Sequence, residues 1–290
     1  MSPLPNEQAG AAAPERVALV TGTSSGFGML TVLELARKRF RVIATMRNLE
    51  AAIELQQRAE REGLMSRIEL HQLDVTDHAA IKQVVAEIVR VHRQIDVLVN
   101  NAGFAMGGFV EEVPMEEWRQ QMETNFFGLI AVSKSVIPIM RTQRSGMIIN
   151  ISSVSGRVGF PGYAPYASSK FAVEGFSESL RHELAPFGVK VVLVEPGAYR
   201  TPIWDKGLAQ LTSSAHSPYA ERLNAIVRYS RKTAEAAPDP QQVADTIGML
   251  VESRAPKLRY LLGRGARIAI LGKALLPWKW FEWMIDRGTR

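Results

Sequence analysis

A tyrosine and a lysine stand four residues apart in Tyr166-Ala167-Ser168-Ser169-Lys170, with Ser153 thirteen residues upstream. That spacing is close to one helical turn, so phenol and amine share a helix face. A free phenol titrates near about 10, too high to exchange protons readily at neutral pH. An ammonium beside it favours the phenolate. Lowering the pKa by three units takes about 4 kcal/mol, which a close charge in a partly desolvated site supplies. Tyr166 is therefore the candidate general acid/base and Lys170 the group that tunes it. Ser153 can hydrogen-bond a substrate oxygen where charge develops. Such a set moves a proton onto or off a carbonyl oxygen. Asn125, in Thr124-Asn125-Phe126-Phe127-Gly128, reads equally as a satisfied structural amide or as the holder of a water that relays protons from Lys170. Alone, the Tyr–Lys pair would be an ordinary exposed helix pair; the rest of the chain gives it meaning.

Upstream lies Thr21-Gly22-Thr23-Ser24-Ser25-Gly26-Phe27-Gly28. Glycines at a strand–helix junction permit a tight turn and let backbone N–H groups reach a pyrophosphate, with the positive helix end behind them. The spacing is Gly-x3-Gly-x-Gly, not the Gly-x-Gly-x2-Gly of many dinucleotide folds. The same residues also fit Gly22-x-Ser24-x-Gly26, a nucleophile elbow that would make Ser24 the nucleophile of a serine hydrolase. That rival needs an acid and then a histidine downstream, and neither His182 nor His216 has a persuasive context.

Thr45-Met46-Arg47-Asn48 follows the second apolar run. A carboxylate there would accept the adenosine ribose hydroxyls, and none is present. A guanidinium matches phosphate geometry, so Arg47 favours NADP(H) over NAD(H). Asp74-Val75 follows the third run; Asp74 reads as an acceptor for an adenine amino group or as a turn residue. Asn100-Asn101-Ala102-Gly103 ends the fourth, at the sheet edge where open α/β folds bind ligands.

The elements that must hold these groups are legible as alternation. Apolar runs at Arg16–Thr21, Arg41–Thr45, Arg67–Leu73, Ile95–Val99, Met147–Ile151, Lys190–Val194 and Leu258–Leu262 read as strands. Most are continuous Val/Ile/Leu, as strands covered on both faces should be. Helical-period segments near 26–39, 50–62, 77–93, 115–143, 166–186 and 239–253 separate them. This predicts a single α/β domain over 15–263: a doubly wound parallel sheet with right-handed crossovers and helices on both faces. Residues 1–14, rich in Ala and Pro, read as a disordered leader; 199–238 reads as a substrate lid; 264–290 is a basic, Trp-rich tail.

Composition narrows the classes. The chain has 290 residues, 46% of them hydrophobic, and a net charge of +6 without long Lys/Arg blocks, which disfavours nucleic-acid binding. With no cysteine, disulfides, thiolate catalysis and Cys-based metal sites are excluded, and a reducing, cytoplasmic setting fits. The five histidines show no metal spacing, and no uninterrupted apolar stretch suits a membrane span.

With these motifs in this order, the sequence resembles the short-chain dehydrogenase/reductase family from about residue 16 to 263. Thr21, Gly22, Gly26, Gly28, Asp74, Asn100–Gly103, Asn125, Ser153, Tyr166, Lys170 and Pro196-Gly197…Thr201 carry the resemblance. It implies a seven-stranded Rossmann sheet of order 3-2-1-4-5-6-7 and an Asn125–Ser153–Tyr166–Lys170 tetrad. It also implies hydride transfer between nicotinamide C4 and a carbonyl carbon, with Pro196, Gly197 and Thr201 on the carboxamide and Lys170 on the ribose. Thr23–Gly28, Ala44–Arg47 and Val194–Gly197 look like the 17β-hydroxysteroid/retinol dehydrogenase-like branch. There Ser24 and Arg47 would contact a 2′-phosphate, with Ser25, Phe27, Val75, Asn101, Ala102 and Gly103 completing the cofactor site. Family members are commonly homodimers or homotetramers through the 115–143 and 166–186 helices.

Substrate is expected over Ser153 and Tyr166, against Met106, Phe160, Tyr163, Tyr199, Ile203 and Trp204. These bulky, mostly apolar walls predict a hydrophobic ketone or secondary alcohol. A cofactor-binding regulator without turnover is the alternative that an intact tetrad argues against. The tail's tryptophans among cations suit a membrane interface, but docking onto the core or a subunit contact is the favoured expectation.

Overall fold

The computed structural model describes residues 15–201 and 217–288. The leader 1–14 and the wall residues Ile203 and Trp204 lie outside the described residues.

Seven strands form one sheet: β1 (Val17–Thr21), β2 (Arg41–Met46), β3 (Ile68–Gln72), β4 (Val97–Asn100), β5 (Gly146–Ile151), β6 (Val189–Pro196) and β7 (Arg259–Leu262). Their order is β3-β2-β1-β4-β5-β6-β7, and every pairing is parallel. β1, β4 and β5 are buried almost throughout, which explains their unbroken apolar runs.

On one face pack α1 (Gly26–Arg37), α2 (Ile53–Arg61) and α8 (Gln241–Leu250), through Val32, Leu55 and Ile247 among others. On the other pack α3 (His78–His92), α5 (Gly128–Gln143) and α6 (Ala164–Leu184), through Ile81, Val136 and Leu180. The strand order reverses between β1 and β4, so a crevice opens at their carboxyl ends, where such sheets bind ligands.

Three segments depart from the sequence reading. The 115–143 segment is not one α-helix: α4 (Met115–Met122) runs into a π-helical turn, Glu123–Phe127, before α5. The inserted residue shifts the helix face, and a 3.6-residue pattern does not register it. Within the expected lid, Ala220–Glu235 forms a four-turn helix, α7, in place of a loop. The tail is a helical pair, α9 (Ala266–Leu275) and α10 (Trp278–Gly288). Phe281 is buried, its ring 5.7 Å from that of Trp278, whereas Trp278, Trp280 and Trp283 are 60–67% exposed.

Candidate active site

The glycine turn is held by side chains from neighbouring strands. Thr21 Oγ1 accepts from the backbone N–H groups of Asn101 and Ala102 at 3.1 and 3.0 Å. The Asn101 amide donates to the carbonyls of Thr21 and Gly22, both at 2.9 Å. Thr23 ties the turn to β2, its N–H and hydroxyl reaching the Thr45 carbonyl at 3.1 and 3.2 Å. Asn101 and Thr23 thus fix the turn's shape from opposite sides.

Two glycines are demanded by space. Gly22 has φ +70°, and a Cβ there would lie 2.7 Å from Ala102 Cα; a Cβ on Gly28 would lie 2.3 Å from the Gly22 carbonyl oxygen. Gly26 has φ +58°. Ser25 is the N-cap of α1, yet its side chain makes no capping bond, and the first turn holds no acidic residue. The helix start therefore offers N–H donors and a positive dipole end to an anion, which fits a dinucleotide pyrophosphate. Gly28→Ala is expected to weaken dinucleotide binding about tenfold or more, since overpacking against backbone costs about 1–3 kcal/mol. Fluorescence titration with NADPH checks this; wild-type affinity would contradict it.

Other cofactor candidates sit along the same carboxyl edge. Arg47 is exposed just after β2. Asp74 forms a turn, its Oδ1 accepting from the Thr76 N–H and hydroxyl at 2.9 and 2.8 Å. Val75 is buried against Gly128, where a Cβ would meet its side chain at 2.8 Å. A Cβ on Gly103 would come within 3.0 Å of Asn125 Oδ1. Gly197 donates to the Leu262 carbonyl at 2.8 Å, and Thr201 lies at the end of this loop's described part. Phe27 sets its ring edge-on to Tyr199, centroids 5.6 Å apart.

Ser153 lies two residues after β5 and is buried, its hydroxyl 3.4 Å from the Pro196 carbonyl. Tyr166 lies in the first turn of α6, close enough to Ser153 for that side chain to oppose the rise of its pKa. Lys170, one turn on, is buried; its Nζ donates to the Ile151 carbonyl at 2.7 Å and sits 5.8 Å from the Tyr166 ring centre. Asn125 lies in the π turn, its Oδ1 accepting from Phe104 N–H at 3.0 Å. Its amide donates to the Phe104 carbonyl at 2.9 Å and to Ser169 Oγ at 3.1 Å. Ser169 in turn donates to the Tyr166 carbonyl at 2.7 Å, so Asn125 braces the first turn of α6.

The electrostatics differ from the sequence expectation in one respect. In the protein itself, burial pushes the Tyr166 phenol up, with Ser153 opposing it. The same desolvation pulls Lys170 down to about 8, opposed by Glu174. At neutral pH, Tyr166 is thus a protonated phenol beside an ammonium, the state that donates a proton.

Behind Lys170 lies a charged cluster that the sequence reading missed. Arg259 Nε bridges the buried Glu174 and Glu195, 3.0 Å from each, and Arg157 reaches Glu195 at 3.3 Å. Burial and the neighbouring Glu174 push Glu195 up. The available signals were the i,i+4 spacing of Lys170 and Glu174 and the position of Glu195 before Pro196-Gly197; neither locates Arg259, which is far away in sequence.

The expected substrate walls divide. Phe160 and Tyr163 are half-buried beside the cleft, and Tyr163 OH pairs with Ser230 of α7 at 2.9 Å. Ile226 of α7 packs near Gly162, and Phe109 stacks on Tyr219 just before α7, with centroids 4.3 Å apart. Tyr199 is a correction: only 1% exposed, it belongs to the core, its hydroxyl donating to Gln242 at 2.7 Å. Met106 is likewise buried, 2% exposed, which withdraws it from any open wall.

A glycine turn at a helix start and a cluster of Ser153, Tyr166 and Lys170 share one edge of the sheet, the layout of a Rossmann-type oxidoreductase acting on an alcohol or carbonyl with a nicotinamide cofactor. The chain belongs to the short chain dehydrogenase family, whose model matches residues 16–211. It is 46% identical over 276 residues to the uncharacterized oxidoreductase YusZ of Bacillus subtilis, covering 94% of this chain and 98% of that protein. A 3-ketodihydrosphingosine reductase of Bacteroides thetaiotaomicron is 35% identical, covering 86% and 88% of the two chains. The crystal structure of a metagenomic short-chain oxidoreductase in complex with NADP is 26% identical with a TM-score of 0.68, covering 85% of this chain and 96% of that one.

Proposed function

We propose that this protein is an NADP(H)-dependent oxidoreductase that interconverts an apolar ketone and its secondary alcohol, with Tyr166 as general acid/base. The observation that carries the reading is the buried Lys170 ammonium 5.8 Å from the Tyr166 ring, with Ser153 close enough to act on the same phenol. The bound nicotinamide supplies or accepts hydride. Tyr166 passes the proton, Ser153 orients the substrate oxygen, and Lys170 holds positive charge beside the phenol and reaches the nicotinamide ribose. Asn125 keeps Tyr166 and Lys170 aligned by bracing α6. Pro196, Gly197 and Thr201 hold the carboxamide end. Gly22, Ser25, Gly26, Phe27 and Gly28 hold the pyrophosphate, while Asp74, Val75, Asn101, Ala102 and Gly103 complete the adenosine side.

The preference for NADP(H) rests on the end of β2. No carboxylate stands there, Arg47 is exposed, and the Thr23–Thr45 bonds bring Ser24 to the same strand end. A 2′-phosphate would find a guanidinium and a hydroxyl in place of a repelling charge. The apolar substrate rests on the half-buried Phe160 and Tyr163 beneath α7, and it agrees with a relative named for reducing a ketone. The helices α4–α6 are the expected faces of a homodimer or homotetramer.

Comparative titration with NADPH and NADH tests the cofactor assignment. NADPH should bind at least about tenfold tighter, and Arg47→Ala should erase most of that difference, as loss of a charge-assisted hydrogen bond costs about 1.5–3 kcal/mol. A wild-type preference for NADH would overturn it.

A further inference from the structure

α9 and α10 present an apolar surface that the fold does not use. Ile268, Leu271 and Leu275 recur at i, i+3 and i+7 on one face of α9, 69%, 56% and 76% exposed, and the opposite face, through Ala266, is buried. The stripe continues through Leu276 to Trp280 and Trp283, which with Met284 line an open groove of about 520 Å³. An exposed apolar patch of this extent on a folded protein marks an interaction surface.

Charge decides the kind of partner. Residues 264–290 hold six basic side chains against two acidic ones. Arg264, Arg267, Lys279 and Arg287 are exposed around the apolar stripe, and Arg287 lies 5.2 Å from the Trp283 ring centre. Both acids are engaged: Glu282 accepts from Trp278 Nε1 at 2.6 Å, and Asp286 pairs with Arg222 of α7 at 3.4 Å. A second copy packed on the same face by a twofold axis would set these cations against themselves. Tryptophans and leucines framed by cations suit the boundary between acyl chains and anionic headgroups. No described helix is long and apolar enough to cross a membrane.

We infer that α9 and α10 form a surface anchor that lays this protein on an anionic phospholipid bilayer. The anchor flanks the mouth of the substrate cleft. α9 begins at Ala266, whose Cβ lies 3.7 Å from where a Cβ on Gly197 would sit. α10 is tied to α7 through Arg222–Asp286, and α7 to Tyr163 through Ser230. Docked in this way, the cleft takes an apolar ketone or alcohol from the lipid phase; this last step rests on the reductase reading, whereas bilayer binding does not.

Flotation of the full-length protein tests the anchor directly. With vesicles of equal parts phosphatidylcholine and phosphatidylglycerol, the protein should rise with the lipid and its tryptophan emission should shift to the blue. With phosphatidylcholine alone, binding should fall steeply, since each cation near an anionic surface raises the binding constant about fivefold. Leu271→Ser, Leu275→Ser and Trp280→Ser together should leave the protein folded, able to reduce a water-soluble ketone, and at the bottom of the gradient. Wild-type protein that stays at the bottom overturns the proposal, as does a triple variant that floats equally well. A non-floating wild type whose oligomer falls apart in the triple variant overturns it in favour of a subunit contact. Loss of turnover without loss of flotation would indict the reductase reading alone.

Discussion

Tyr166→Phe should lower NADPH-dependent ketone reduction by about three orders of magnitude, within the 10²–10⁴ range typical of a positioned acid or base. The change removes one oxygen and almost no volume. The ring keeps its place at the head of α6, and the Lys170–Ile151 bond at 2.7 Å is untouched. NADPH affinity should therefore stay within about twofold, because no cofactor donor is lost. Steady-state kinetics with fluorescence titration of the same preparation separates the two effects. Turnover close to wild type would remove Tyr166 from its assigned role. Equal loss of turnover and binding would point instead to a distorted site.

Lys170→Met should move activity and stability in opposite directions. Activity should fall by about 10² or more, since the variant has no charge beside the phenol and no donor for the ribose. Stability follows from linkage. Burial lowers Lys170 from 10.5 to about 8 in the folded protein, so between those values the unfolded chain binds more protons than the folded one. Wild-type stability therefore gains with rising pH across that window, and at pH 7 the fold bears the full cost of a buried cation. Methionine fills similar volume without the charge. Relative to wild type, Lys170→Met should be more stable at pH 7 than at pH 10 by about 2 kcal/mol. Urea denaturation of both proteins at the two pH values measures this, and an unchanged difference would contradict it. Above about 8, loss of the ammonium should also depress wild-type reduction.

The parts of this molecule visible in its sequence are those whose physics is local. Buried parallel strands must be continuous runs of Val, Ile and Leu, so β1, β4 and β5 stand out. A turn that cannot accept a Cβ must be glycine, so Gly22 and Gly28 mark the tight turn between β1 and α1. Tyr166 and Lys170 share a helix face because they are four apart. What escaped depends on contacts between distant segments. The bridge from Arg259 to Glu174 and Glu195 joins β7, α6 and β6. The π turn around Asn125 is an insertion of one residue that leaves hydrophobic spacing nearly unchanged. Tyr199 looked like a wall because it is aromatic and follows Pro196-Gly197; only the packing of Phe27 and Gln242 shows it to be core. The tail reads as buriable because it is rich in Trp and Leu, but it meets the rest of the fold through Ala266 and Lys273 and leaves Trp278, Trp280 and Trp283 exposed. The phenol's upward shift also could not be read from the Tyr–Lys spacing. It reflects the desolvation of the phenol where α6 meets β5, which is a property of the assembled fold.

The most direct test of the central assignment is isotope transfer. The protein would be incubated with NADPH carrying deuterium at the reactive C4 position and a panel of apolar ketones, and the alcohol products analysed by mass spectrometry. Deuterium is expected on the carbinol carbon, with a hydroxyl proton drawn from solvent and loss of product with Tyr166→Phe. No alcohol from any ketone in the panel, or alcohol whose carbinol hydrogen comes from water, would contradict it.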